Sequence, residues 1–325
     1  MTRIDAARAV GARSRWLGGM LALAWGLGCA AGGEPRAPEW ERQEYRQVCM
    51  GVQARIVLWT RDHDSGVEAA RAAFARLAAA ERALSDWLVD GELARLEARA
   101  GTGPVPVSDD LYGCLERALE FARASDGAFD PSVGALTRLW RAARAMDEAP
   151  DPAALASARA TVGWRDVRLA ADARAVELAR AGTRLDLGGI GKGWGADVAL
   201  AELAAHGVER ALVALAGDVA LGAPPPGAEA WRIAAPEVGR VLELARCGVS
   251  SSGDSEQFFV LEGERTSHLI EPRSGVGVVG RASLTVVAPD AATADGLASA
   301  LSILGPQGEA QLLAAFPAAR VLRAP

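Results

Sequence analysis

Along the chain the spacing of apolar residues changes in a way that predicts mixed strands and helices. The apolar run from Val48 to Trp59 predicts a first strand. From Asp64 to Ala83, apolar residues recur at helical spacing in an Ala/Arg-rich segment that Asp64 or Ser65 can cap. A loop at Ser85-Asp86-Trp87 leads into a short helix through Leu96, and Ser108 caps a helix to about Ala124. The turn-rich break from Ser125 to Pro131 precedes a helix carrying Leu136, Leu139 and Trp140. Short strands are predicted near Val167, Val176 and Leu185, then a helix from Gly191 to His206. Strands follow near Leu212, Ile233, Leu242, Phe259, His268 and over Leu284 to Val287, and a helix covers Ala291 to Leu304. Strands and helices interleave without strict alternation. The expected fold class is therefore α+β, with mixed strands and flanking helices in a single compact domain of one or two lobes, not a doubly wound parallel sheet.

The N-terminus follows a different pattern. Arg3, Arg8, Arg13 and Arg15, with Asp5 as the only acid, precede the apolar segment Trp16 to Leu27 and the small residues around Cys29. A basic region, an apolar stretch of that length and a small-residue cleavage zone read as a secretory leader. Cys29 sits where bacterial lipoprotein signals carry the acylated cysteine, with Gly26 where such signals usually carry Leu. The expected organisation is a leader over 1–28, a Pro-rich tether over 29–44 beginning at a lipidated Cys29, and a domain over 45–325. Plain secretion is the alternative.

Composition narrows the function. The 325 residues are 50% hydrophobic and 23% charged, enough for a substantial core and unlike a disordered chain. A net charge of −6 without a basic run lacks the footprint that neutralises nucleic-acid phosphates, so no nucleic-acid partner is expected. Beyond the leader, no apolar run approaches the roughly 20 residues of a membrane span. Cys49, Cys114 and Cys247 are scattered, which disfavours structural zinc and leaves one disulfide open. Lys192 is the only lysine, every other basic residue being Arg, and it lies in a glycine-rich stretch.

That stretch, Asp186-Leu187-Gly188-Gly189-Ile190-Gly191-Lys192-Gly193-Trp194-Gly195-Ala196-Asp197, runs from a strand end into a helix. Glycines expose backbone N–H groups there, and with a helix N-terminus they favour an anion such as a pyrophosphate; a tight strand-to-helix turn is the plainer reading. It has neither the Walker nor the Rossmann spacing. On the last helix, Asp295 and Ser299 are four residues apart and share a face. With a backbone carbonyl they form a hard-oxygen set suited to Mg²⁺, or else a helix-capping pair. His268, entering a Pro/Gly turn, reads either as a general base or as an edge residue. Asp126-Gly127-Ala128-Phe129-Asp130-Pro131 reads as a capping turn.

Taken in order, these segments resemble the ApbE-type FAD:protein FMN transferases, a family that includes many periplasmic lipoproteins. The resemblance runs from Cys49 to Leu304. It rests on Met50-Gly51, Ser85-x-Trp87, the Asp126–Pro131 turn with Leu139-Trp140, Asp186 to Gly193, Gly217-Asp218, Ser252-Gly253-Asp254, His268-x-x-x-Pro272 and Ala294-Asp295-x-x-x-Ser299. It implies an Mg²⁺-dependent enzyme that binds FAD as substrate, moves FMN onto a Ser or Thr hydroxyl of an acceptor flavoprotein and releases AMP. By match of motif, Met50, Trp87, Ala128, Phe129, Asp130, Asp186, Lys192 and Ile270 would contact FAD. Gly189 through its carbonyl, Asp295 and Ser299 would hold Mg²⁺, and His268 would accept the hydroxyl proton.

The chain departs from the family pattern at Glu97 for Asn, Gly91 for Ser, Ala216 for the first Gly of Gly-Gly-Asp, Glu271 for Asp, and Ser299 for Thr. The same site with water as nucleophile would be an FAD pyrophosphatase, and with a degenerate metal site a non-enzymatic flavin-binding lipoprotein. The leader generates a separate expectation. Cys29→Ser should move the protein from the membrane to the soluble fraction, and a wild-type chain that never sediments with membranes refutes lipidation.

Overall fold

The computed structural model describes residues 39–146, 148–252, 258–261, 264–279 and 283–323. The leader, Cys29, most of the tether and Gly253-Asp254 lie outside the described residues, as does the side chain of His268.

A seven-stranded antiparallel sheet organises the α+β fold. Its strands are β1 (Glu41–Cys49), β2 (Val52–Thr60), β3 (Ala211–Leu215), β4 (Asp218–Leu221), β5 (Cys247–Ser252), β6 (Leu284–Ala288) and β7 (Arg320–Arg323), lying side by side in chain order. Strands β3 and β6 are buried along their whole length because both faces are covered. In β2, Ala54, Ile56 and Leu58 enter one core, while Val57 and Trp59 face another; in β3, Ala211, Val213 and Leu215 alternate with Leu212 and Ala214 in the same way. Each fully buried Ile or Leu of this kind contributes about 1.5–3 kcal/mol.

The first face is covered by helices inserted between strands that are neighbours in the sheet. These are α1 (His63–Leu84), α2 (Asp109–Ala124), α3 (Gly134–Met146), α4 (Gly191–Ala205) and, after β6, α5 (Ala291–Ala315). Ala69, Ala73 and Leu77 of α1 and Ala196, Ala199 and Leu203 of α4 pack on the β2–β3 surface. A two-stranded hairpin, Trp231–Ala235 with Arg240–Leu244, closes the other face through Trp231 and Leu244. Between β5 and β6 lies a three-stranded sheet, Phe258–Leu261, Glu264–Glu271 and Val276–Val279, whose middle strand carries His268 and Ile270.

Several local expectations change. The single strand from Val48 is a hairpin: Met50 and Gly51 both adopt positive φ (54° and 73°) and reverse the chain, so β1 begins at Glu41, inside the segment read as tether. The cap of α1 is Asp62, whose side chain accepts the Ser65 N–H, not Asp64 or Ser65. Ser108 caps α2 as expected. Near Leu185 there is only an isolated bridge between Val133 and Arg184. The last helix breaks at Gly305 (φ 66°) before Pro306, where Leu304 was expected to end it, and then resumes to Ala315. Cys49, Cys114 and Cys247 are free thiols. No helix among the described residues is long and apolar enough to cross a membrane.

Helices α4 and α5 meet at their N-termini and cap each other. Asp197 of α4 accepts the Ala291 and Ala292 N–H groups of α5 at 2.9 and 2.8 Å. Asp295 of α5 accepts the Gly193 N–H of α4 at 3.0 Å. Only glycine permits this approach, since a Cβ on Gly193 would lie 2.3 Å from the Ala291 carbonyl oxygen. Burial pushes the Asp197 carboxyl up to about 7, against the lowering effect of the two amides it accepts. Asp197→Ala leaves those amides without acceptors and should cost on the order of 2 kcal/mol, measured by chemical denaturation, with Asp197→Asn recovering part of the loss.

Candidate functional site

The glycine-rich turn is held from outside before it forms a site. The Glu97 carboxylate, 1% exposed, accepts from Arg138 at 3.0 Å through both terminal nitrogens, from Arg184 at 3.1 Å and from the Leu185 N–H at 2.7 Å. A buried carboxylate so fully paired is not left as an uncompensated charge. The Asp186 N–H donates to the Pro131 carbonyl at 2.8 Å, tying the turn to the Asp126–Pro131 segment. Asp186 then turns the chain by accepting the Gly188 N–H at 2.8 Å. Helix α4 starts at Gly191 without a side-chain cap from Ile190; instead the Gly191 N–H donates to the Leu187 carbonyl at 2.7 Å and the Gly193 N–H to Asp295.

Gly189 lies against Ser299. A Cβ built on Gly189 would stand 2.9 Å from the Ser299 hydroxyl oxygen and 3.2 Å from the Phe129 ring, so a side chain here would have to displace Ser299. The turn thus meets the Asp295/Ser299 face of α5, although the two are about a hundred residues apart in the chain.

Lys192 stands between two buried carboxylates. Its Nζ is 3.0 Å from Asp218 and 3.6 Å from Asp295, and it donates to the Gly188 carbonyl at 3.4 Å. Burial alone would favour the neutral amine, but Asp218 and Asp295 outweigh it and raise its pKa above the ordinary lysine value, so it stays charged. Burial, together with repulsion from Asp218, raises the Asp295 carboxyl, while Lys192 and the Gly193 N–H oppose that shift. A cation brought beside Asp295 would favour its charged form and relieve its repulsion with Asp218.

A second group lies on the far side of the turn. Trp87 is 72% exposed, and the Arg141 guanidinium stacks over its ring with Cζ 4.6 Å from the centroid. Arg141 also pairs with Asp86 and, at 3.0 Å, with Asp186. Burial, followed by the nearby Asp186, raises the Asp86 carboxyl against the pull of Arg141. Asp186 thereby joins Trp87 to the glycine-rich turn.

The remaining expected contacts divide. Met50, at the β1–β2 turn, lies over the first turn of α4: its Sδ is 2.7 Å from where a Gly195 Cβ would be. Ala128 and Phe129 are each 5% exposed, and Phe129 borders Gly189. The Asp130 carboxylate faces the other way, accepting from Ser132 N–H at 2.8 Å, Ser132 hydroxyl at 2.6 Å and Trp164 N–H at 3.1 Å, which is the work of a capping turn. The Ile270 side chain is in the core with Leu136 and Trp140. His268 lies in the strand Glu264–Glu271, two residues from Ile270. The turn after that strand is tied to the rest by Arg273, which donates to the Asp126 carbonyl at 2.7 Å, and by Trp140, which donates to the Gly275 carbonyl at 2.7 Å. Glu271, where Asp is usual, accepts the Arg273 and Ser274 N–H groups at 3.0 and 2.6 Å.

Two site residues were given no role from sequence: Asp218, named only within the Gly217-Asp218 motif, and Arg141. The Gly217-Asp218 pair at a strand start was the available signal for the first; nothing local marks the second among so many arginines. No group of three or more His, Cys, Asp or Glu among the described residues could hold a metal ion. The donors that do converge are a carboxylate, a hydroxyl and the backbone of a glycine turn, which suits a hard cation that keeps water and phosphate ligands.

The ApbE family profile matches residues 50–322. The chain is 34% identical to the FAD:protein FMN transferase of Treponema pallidum, over 93% of this chain and 88% of that protein. Among solved structures it is similar to the apo flavinyl transferase ApbE of Pseudomonas stutzeri, with a TM-score of 0.74 and 27% identity over 84% of this chain and 88% of that one. The ApbE protein of Thermotoga maritima matches with a TM-score of 0.76 and 26% identity over 87% and 94%.

The β3–β4 hairpin that presents Asp218 turns through Ala216 at φ 51°, a left-handed conformation that strains a residue with a Cβ. Ala216→Gly should therefore stabilise the protein by about 1 kcal/mol, read as a higher melting temperature.

Proposed function

The chain belongs to the ApbE family, and from that premise we propose that it is a Mg²⁺-dependent FAD:protein FMN transferase. The acceptor's Ser or Thr oxygen bonds to the phosphorus of the FMN half, the bond from that phosphorus to the bridging oxygen breaks, AMP leaves, and the hydroxyl proton passes to a base. The observation that carries this reading is the meeting of Gly189, Lys192, Asp295 and Ser299 at the N-terminus of α4.

Each part of the site has a task in that reaction. The Lys192 ammonium and the positive end of the α4 dipole offset the charge of the diphosphate bridge, where negative charge moves to the leaving group. Asp295, Ser299 and the Gly189 carbonyl are the proposed ligands of Mg²⁺, which when bound supplies Lewis-acid neutralisation of the phosphoryl oxygens. The exposed ring of Trp87 and the edge of Phe129 offer apolar faces to the flavin and adenine rings. Met50 closes the floor beside them. His268 is the proposed proton acceptor, on a strand tied to the Asp126 turn through Arg273. The N-terminal reading extends the proposal to an exported enzyme, anchored through Cys29 on the periplasmic side of a membrane, whose partner is a flavoprotein with a modifiable Ser or Thr.

Asp295→Asn keeps an acceptor for the Gly193 N–H while removing the charge. It should leave the fold intact by circular dichroism and reduce Mg²⁺-dependent AMP release from FAD by about 100-fold or more. Full activity in this variant removes the metal assignment. In the wild type, free FMN in place of acid-stable flavin on a supplied acceptor would turn the conclusion toward hydrolysis.

A further inference from the structure

We propose that Asp218 is a positioning residue, holding the Lys192 ammonium in the orientation in which it meets a dinucleotide's diphosphate; this rests on the FAD-binding reading above. The need for such a residue follows from where Lys192 stands. It is the second residue of α4, at the positive end of the helix dipole, where a cation is disfavoured. Its four-carbon stem is flexible, and in solvent the ammonium would turn away from the helix end.

Two carboxylates keep it there, and their circumstances differ. Asp295 is at 3.6 Å and is already engaged by the Gly193 N–H of α4. Asp218 is closer, at 3.0 Å through Oδ2, and 3% exposed. Its other oxygen, Oδ1, accepts the buried Ser250 hydroxyl at 2.6 Å. Ser250 is its register partner across the β4–β5 pairing, so the carboxylate is clamped between two central strands of the sheet. The sheet therefore sets the height of the ammonium above the α4 N-terminus. When Asp295 serves another cation, Asp218 still holds Lys192.

Because Lys192 is the only lysine, lysine-specific ¹⁵N labelling yields a single side-chain ammonium signal, visible when its hydrogens are bonded and slow to exchange. Asp218→Asn should abolish or strongly shift that signal. FAD titration should give a dissociation constant raised about tenfold or more in Lys192→Ala, as for loss of a charged hydrogen bond, and by a similar factor in Asp218→Asn. The double variant should bind no more weakly than Lys192→Ala alone, because Asp218 acts through Lys192. Additive losses, or an unchanged ammonium signal in a folded Asp218→Asn protein, overturn the proposal. If Asp218→Asn does not fold, Ser250→Ala should shift the same signal in the same direction, and no shift there counts equally against it. A wild type that binds no FAD refutes the functional reading instead, while the ammonium signal still tests the contact.

Discussion

The crossed capping of two helices is the constraint on which the rest of the site depends. An α-helix presents unpaired amides at its start, and burying them requires acceptors supplied from elsewhere. Here α4 and α5 supply one another: Asp197 serves α5 and Asp295 serves α4. The exchange works only if the helix starts nearly touch, which Gly193 allows. Once it is made, Asp295 cannot leave the neighbourhood of Gly189 and Lys192, and Ser299, one turn on, is carried to Gly189 with it. A structural need, satisfying amides, thus delivers the oxygens that the proposed chemistry uses.

Electrostatics then separates the roles. Around the α4 N-terminus the chain buries two aspartates against a single lysine, in a protein that elsewhere meets its need for cations with arginine. Arginine forms the pairs that hold structure: Arg138 and Arg184 on Glu97, Arg141 on Asp86 and Asp186. Its planar fork suits fixed carboxylates. A compact ammonium fits between Asp218 and Asp295 and can still face a ligand. The close approach of the two carboxylates is eased by the Gly193 amide on Asp295 and the Ser250 hydroxyl on Asp218.

The departures from the family pattern are absorbed in different ways. Glu97 puts a buried carboxylate where the family carries a neutral Asn, and two arginines and the Leu185 amide satisfy it, so it serves as the anchor of the glycine-rich turn. Glu271 keeps its carboxylate and caps the turn behind His268. Ala216 is not absorbed: the β3–β4 reversal still needs the left-handed conformation that glycine adopts freely, and the strain stays in the turn that presents Asp218.

Much of this was legible in the sequence because it is local. Helical spacing marked α1, α2 and α5, Ser108 announced its own cap, and the mixed order of elements predicted α+β. The glycines, Lys192 and the Asp295/Ser299 pair announced themselves by type and spacing. What sequence could not decide is everything set by contacts between distant segments. Strands as short as β4 and β7 have too few residues to show a period, and the Met50-Gly51 reversal has no proline or asparagine to signal it. Asp130 and Ile270 carry the residue types of a site, yet packing turns the one toward Ser132 and Trp164 and the other into the core. Asp218 and Arg141 gain their importance only from what the sheet and α3 bring beside them. Local pattern determines which elements form; the burial of amides and charges between remote elements decides which side chains meet.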